Sequence, residues 1–146
     1  MYAKRDDLVA RFSESEIGSL EQDDSGSQDE AVSKTAIDDA CAEADSYIAV
    51  AYRLPLPNVE TPPMLLQAVC DIARYRLYKN RSTEEVRKRY EDAVSWLKRV
   101  ASGGAKLPFP TLSDEQTKAA RNPASLPTGT TYVGGVFGSI MTDKML

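Results

Sequence analysis

Ten residues in the middle of the chain, Leu54–Pro63 (LPLPNVETPP), hold four prolines and separate two long stretches of helical periodicity. A proline lacks the backbone N–H, and it pushes the residue before it into extended geometry. No helix can run through this segment, so it is a rigid connector and the chain must fold as helices on either side of it. Upstream, Asp29–Arg53 places Val32, Ala36, Ile37, Ala40, Ala44, Tyr47, Ile48 and Ala51 at intervals of three or four over an alanine-rich background, which predicts a long helix packed closely through small residues. Downstream, Pro62 and Pro63 suit a first helical turn, and the helix they open runs to about Asn80 with Leu65, Leu66, Val69, Cys70, Ile72, Ala73 and Leu77. It is apolar over much of its circumference and is expected to lie centrally.

Two further amphipathic stretches flank this pair. Ser82 and Glu85 form a capping-box pattern ahead of Val86, Tyr90, Ala93, Val94, Leu97, Val100 and Ala101, and Gly103 and Gly104 end that helix. At the start, Ala3–Phe12 carries Leu8, Val9 and Phe12 at helical spacing, and Ser13 with Glu16 opens a second, brief helix. The fold class is therefore all-α: a small bundle of about four to five helices, residues 1–104. Residues 104–146 contain four of the eight prolines and five of the eight glycines, and their apolar residues follow no period. Residues 105–146 are expected to form an extended, partly β-like arm, with a helical turn at Asp114–Arg121 and apolar contacts from Tyr132, Val133, Val136, Phe137, Ile140 and Met141 to a partner.

The residues needed for most enzyme chemistry are missing. There is no histidine, which removes the commonest general base and transition-metal ligand, and Cys41 and Cys70 stand alone on apolar helical faces as buried thiols. Adjacent carboxylates such as Asp38 and Asp39 point in different directions on a helix, and the paired glycines have no phosphate-loop or dinucleotide context. The acidic run EQDDSGSQD lacks the alternating oxygen ligands and final glutamate of a calcium loop. No catalytic residue, cofactor or metal is expected. No apolar run is long enough to span a membrane, and the opening MYAKRDDLVARF has charges where a signal peptide has its apolar core, so the chain is expected to remain in the cytoplasm where it is made.

Charge is unevenly distributed: residues 1–60 hold 5 Lys/Arg against 14 Asp/Glu, and residues 61–146 hold 13 against 8. Arg74, Arg76, Arg81, Arg87 and Arg89 lie in a basic 74–99 region, while Asp38, Asp39 and Glu43 mark the acidic side. Such an asymmetry suits subunits that meet acidic surface to basic surface, and equally a helical module that contacts nucleic acid. A small regulatory protein whose tail folds on a partner is a third possibility.

The order of these pieces resembles the adaptor, or head-completion, proteins of Mu-like phages. The resemblance is carried by MYAKRDDLVARFSESEI, by Asp45-Ser46-Tyr47-Ile48 with Tyr52-Arg53-Leu54-Pro55-Leu56, by CDIARYRLY (Cys70–Tyr78) and by TEEVRKRYEDAVSWLKRVASG (Thr83–Gly103), and more loosely by Val136-Phe137 and Met141-Thr142-Asp143. It covers about the first 104 residues. It implies a protomer of the virion neck, made in the bacterial host cytoplasm, that forms a homo-oligomeric ring of twelve subunits on the portal protein. That ring would complete the DNA-filled head and receive a downstream neck or tail-terminator protein, with non-specific contact to genomic DNA in its channel.

Overall fold

The computed structural model describes residues 1–120, with side chains through Thr117. Six α-helices and one 3-10 turn occur among them: α1 (Arg5–Phe12), α2 (Glu14–Leu20), α3 (Glu30–Ile48), α4 (Pro63–Tyr78), the 3-10 turn Lys79–Arg81, α5 (Glu84–Ser102) and α6 (Leu112–Ala120). No strand occurs among the described residues, and the protein is all-α. Met1–Thr111 forms one compact unit, and α6 belongs to a second that begins at Leu112.

Each helix of the first unit starts or stops for a local reason. Ser13 Oγ accepts from the Glu16 N–H to cap α2, and Asp29 Oδ1 accepts from the Ala31 N–H to cap α3. The cap of α5 is Thr83, whose hydroxyl accepts from the Val86 N–H, rather than the expected Ser82, which closes the 3-10 turn in extended geometry. Gly103, at φ +90°, ends α5 in the left-handed conformation that suits glycine. Helix α3 stops at Ile48, five residues short of the expected Arg53. A proline at position 55 would clash with the carbonyl of residue 51 in a continued helix. Instead the chain tightens into i→i+3 bonds (Val50 N–H to Tyr47 O, Ala51 N–H to Ile48 O) that turn Tyr52 inward. Helix α4 ends at Tyr78 because Lys79 takes φ +56° and a 3-10 turn follows.

Helix α4 is central, as its all-round apolarity predicts. Nine of its sixteen residues are buried, and it packs on α5, α3 and α1. The side of α3 that faces inward is built from Ala36, Ala40 and Ala44, so the two long helices approach closely, while α5 contributes Ala93, Trp96, Leu97 and Val100. Leu8 of α1 and Ile17 of α2 are fully buried and close the remaining side. The thiols of Cys41 and Cys70 are unbridged and buried; burial pushes the Cys70 thiol up to about 12 and that of Cys41 upward as well.

The compact unit extends beyond residue 104. Leu107 is buried, its N–H donates to the buried Tyr52 hydroxyl at 2.8 Å, and Ala105 and Phe109 pack against the same core. Seven residues expected in the arm thus belong to the bundle. Their signal was weak because three apolar residues among prolines have no helical period. The stretch holding Tyr132, Val133, Val136, Phe137, Ile140 and Met141 lies outside the described residues.

If small side chains set the α3–α4 distance, Ala40→Leu will destabilise the fold by about 1–3 kcal/mol through overpacking. The exposed Ala42→Leu should stay within roughly 0.5 kcal/mol of the parent. Urea unfolding of both variants checks this, and equal midpoints would mean that α3 and α4 do not depend on close approach.

Candidate functional site

Among the described residues no group of His, Cys, Asp or Glu side chains is placed to hold a metal ion. Of the polar side chains that sequence marks as contact residues, Arg74, Arg76, Arg89 and Glu43 form ion pairs across the seams between helices. Arg74 of α4 is 8 % exposed and grips Glu16 of α2 with two bonds, Nε to Oε2 at 2.6 Å and Nη2 to Oε1 at 3.1 Å. Its guanidinium also lies 4.3 Å from the centre of the Phe12 ring and 5.9 Å from that of Tyr78. Burial opposes the charge on Arg74, but the Glu16 carboxylate outweighs it and the pKa stays above the ordinary arginine value. The Phe12 ring of α1 and the bidentate Glu16 carboxylate of α2 therefore hold those helices against the central helix.

The other basic residues divide by exposure. Arg76 donates from Nη2 to Glu43 Oε1 at 2.6 Å, and the second oxygen of Glu43 accepts from the Tyr90 hydroxyl at 2.9 Å; the Tyr90 ring stacks on Tyr75 at 4.1 Å. Burial and this bond raise the Tyr90 hydroxyl to about 12. Arg87 pairs with Glu84 at 2.7 Å and Glu91 at 3.2 Å along α5, and Arg89 with Glu85 at 3.3 Å and the buried Asp71 at 4.0 Å. Burial pushes the Asp71 carboxyl up, with Arg89 and Arg74 opposing. Asp38 bonds Lys34 one turn away at 2.9 Å, whereas Asp39 and Arg81 are exposed and make no ion pair among the described residues. Four of the five arginines picked out in the sequence are thus paired within their own chain. The acidic-to-basic attraction expected between subunits is used first inside one, by Glu16 with Arg74 and Glu43 with Arg76.

A second clamp lies under the acidic loop. Glu21, 1 % exposed, takes Arg5 through both oxygens at 2.8 Å and Gln28 at 3.0 Å. The Arg5 guanidinium holds this carboxyl below its usual range against the effect of burial. In the loop itself Asp23 Oδ1 accepts from the Ser25 N–H, the Ser25 hydroxyl and the Ser27 N–H, which leaves it organising a turn. These contacts explain the run of acids that superficially suggests a calcium loop.

The concave feature that sequence did not reveal is a groove of about 650 Å³ between the N-terminus, α3 and the proline segment. Tyr2, Cys41 and Asp45 form its floor: the Tyr2 hydroxyl donates to Asp45, and the Tyr2 N–H donates to Cys41 Sγ at 3.4 Å. Burial, then the bond to Asp45, raises the Tyr2 hydroxyl pKa. Its walls include Leu54, Leu56, Pro57, Val59 and Phe109. Met1 and Val59 on its rim are 70 % and 63 % exposed, and Val50 and Met64, at the helix ends that the proline segment joins, are 64 % and 49 % exposed. One signal was legible in retrospect, the alternation of apolar residues with prolines in LPLPNV, which reads as a connector alone until Phe109 and Met1 are brought beside it.

Fold and surface together define a small all-α protein whose buried polar groups fasten helices to one another. Residues 2–125 match the family model for Bacteriophage Mu, Gp36, and the chain belongs to that family. It is 38 % identical over 130 residues to the Mu-like prophage FluMu protein gp36 of Haemophilus influenzae, a match covering 86 % of this chain and 87 % of that protein. Over 104 residues it is 35 % identical to gene product J of Escherichia phage Mu, covering 70 % and 72 % of the two chains. It is a Mu-like phage protein of the structural or morphogenetic kind.

Replacing Arg74 with Ala leaves Glu16 without its partner and should cost about 1.5–3 kcal/mol, the range for hydrogen bonds to charged groups. A double-mutant cycle with Glu16→Gln will show a coupling above roughly 0.5 kcal/mol; additive effects would refute the clamp. Glu21 titrates below its ordinary value of 4.5, so its contribution is complete above that pH and declines as the pH falls through the native value. Acid unfolding of Glu21→Gln, measured by circular dichroism, should accordingly show a shallower loss of stability below that value than the parent.

Proposed function

We propose that the protein is the head-tail adaptor of its phage: a neck subunit that forms a ring of twelve on the portal, completes the DNA-filled head and presents the platform for tail attachment. The observation that carries this reading is that the family match, residues 2–125, runs through the entire folded unit rather than one helix. A ring subunit needs a stiff body with surfaces left over for neighbours. The clamps at Arg74 and Glu21 make the body stiff, and the groove and the remaining charges supply the surfaces.

The internal pairing decides which charges serve the ring. Arg74 is enclosed and stays with Glu16. Arg87 and Arg89 have side chains about half exposed, at 46 % and 51 %, and their pairs along α5 are of the surface kind that contributes roughly 0–1 kcal/mol. Exchanging such a partner for a neighbour's carboxylate costs little, so Arg81, Arg87 and Arg89 on one copy meet Asp38 and Asp39 of the next. Arg76 and Glu43 brace the bundle from within. The arm residues Tyr132, Val133, Val136, Phe137, Ile140 and Met141 anchor the subunit on the portal or a neighbour, the ordering entropy being offset by buried apolar area. The opposite side of the ring receives a downstream neck or tail-terminator protein, and DNA in the channel is met without sequence preference.

A nucleic-acid-binding module is the alternative reading, and the neutralised arginines weigh against it. Within the basic 74–99 region the cations without an ion pair among the described residues are Lys79, Arg81, Lys88, Lys98 and Arg99, a sparse set for tracking a phosphate backbone. Mixing the purified protein with its phage's portal assembly and imaging the product should show a discrete ring added to the portal. Steeply salt-dependent DNA binding without portal association would instead favour the module.

Truncation after Thr111 should leave a protein that unfolds as cooperatively as the parent but does not complete particles. Truncation after Ala105 also removes Leu107 and its bond to Tyr52, and should lose about 1.5–3 kcal/mol of stability besides. Thermal unfolding and in vitro head completion separate the two, and normal completion by the longer truncate would sink the role given to the arm.

A further inference from the structure

We propose that two copies of this chain pair in solution across a two-fold axis, each seating its Lys79 in the cleft between α3 and α4 of the other, and that this pairing covers Asp39 until the ring forms. The second half of the inference rests on the ring reading above, in which Asp39 is a contact between neighbours.

The cleft lies where the first half of α3 passes the end of α4. Its volume is about 380 Å³; Val32, Ala36 and Asp39 line it from α3, and Leu77 and Lys79 from the other side. Positions 32, 36 and 39 recur at helical spacing and so share one face of α3. Ala36 and Leu77, 7 % and 4 % exposed, give the cleft an apolar floor. Two opposite charges stand on its lips: Asp39 and Lys79 are both exposed, and neither makes an ion pair among the described residues. Arg76, which also borders the cleft, is already bonded to Glu43 at 2.6 Å.

Lys79 is held in an unusual backbone conformation. Its φ of +56° with ψ −125° lies in a region that glycine adopts freely and other residues rarely. A glycine would make the same turn without strain, so the turn by itself gives no reason for a lysine. Strain of this kind is kept where the side chain has a use. A lysine has one here, because its long apolar stem can lie along the floor of a cleft while the ammonium reaches a carboxylate on the far lip. The Asp39 of the same copy is not met in this way. The Asp39 of a second copy is open to it.

The placement of the two charges selects the symmetry of the contact. Acid and base border one cleft rather than opposite sides of the bundle, so a head-to-tail neighbour at this cleft would satisfy one charge and leave the other. A copy turned about a two-fold axis through the cleft sets Lys79 against Asp39 twice, and a single self-complementary surface closes the pair. Such a pair does not grow. With Asp39 occupied, the pair must open before that residue can serve a ring neighbour.

The test is sedimentation of the full-length chain over a range of concentration and salt, with circular dichroism to confirm that each variant is folded. The expected result is a monomer–dimer equilibrium that stops at the dimer and weakens as salt is raised. Asp39→Lys and Lys79→Asp should each raise the dimer Kd by more than about tenfold. An equimolar mixture of those two variants again sets opposite charges against each other in both clefts, and should restore the dimer. Lys79→Gly relieves the turn and removes the ammonium. It should therefore melt at a higher temperature than the parent when both are dilute and monomeric, dimerise more weakly, and add to the portal sooner. Monomers at every concentration, growth beyond the dimer, a dimer that neither charge reversal weakens, or a mixture no stronger than its components would each overturn the pairing. Equal rates of addition to the portal by the parent and Lys79→Gly would overturn the covering of Asp39. Failure of both to form a ring, beside the expected dimer, would remove the adaptor reading and the covering role with it while the pairing stands.

Discussion

Close contact between α3 and α4 is the constraint on which the other elements depend. Alanines at 36, 40 and 44 are buried on α3 and keep its side chains small where it packs on α4, whose Leu65, Val69 and Ile72 are fully buried. With that pair set, α5 lays its apolar stripe on the combined surface, and Leu8 and Ile17 close the remaining side. The proline segment is the corner that allows the pair to form. It ends α3 near Ile48, sends Tyr52 inward, and through the Tyr52 hydroxyl captures the residues that follow α5.

The buried ionic groups are the second layer of this architecture. Arg5 with Glu21 ties α1 to the end of α2, and Arg74 with Glu16 ties α2 to α4; the two short helices bury only one core side chain each, Leu8 and Ile17. Helices this short have little stability alone. Directional, charge-assisted bonds give them a single orientation where apolar contact would leave several.

Membership of the Mu Gp36 family and the arrangement of charge bear on function in different ways. The family places the chain among phage structural and morphogenetic proteins. The structure adds that Arg74, Arg76, Arg87 and Arg89 are paired within the chain, and that a groove lined by both apolar and polar side chains lies open beside the proline segment. Partner recognition is then better sought in the groove and the exposed α5 face than in net charge.

The number and order of the helices were legible in the sequence, because apolar residues at three- and four-residue spacing, capping residues such as Ser13, and the prolines are local features with local causes. The central position of α4 was legible too, from Leu65 to Leu77 covering most of its circumference. What sequence could not decide was which charges meet. The totals on either side of residue 60 show that acids and bases are segregated, but Glu43 and Arg76 are 33 residues apart and Glu16 and Arg74 are 58 apart, and only folding makes them neighbours. The groove has the same character: Met1, Val59 and Phe109 form one rim only when the N-terminus, the connector and the segment after α5 converge. Periodicity determines helices because it acts within a few residues. Pairing across long separations is decided by tertiary structure, because the free energy of a buried ion pair or an apolar cleft depends on neighbours that the local sequence does not contain.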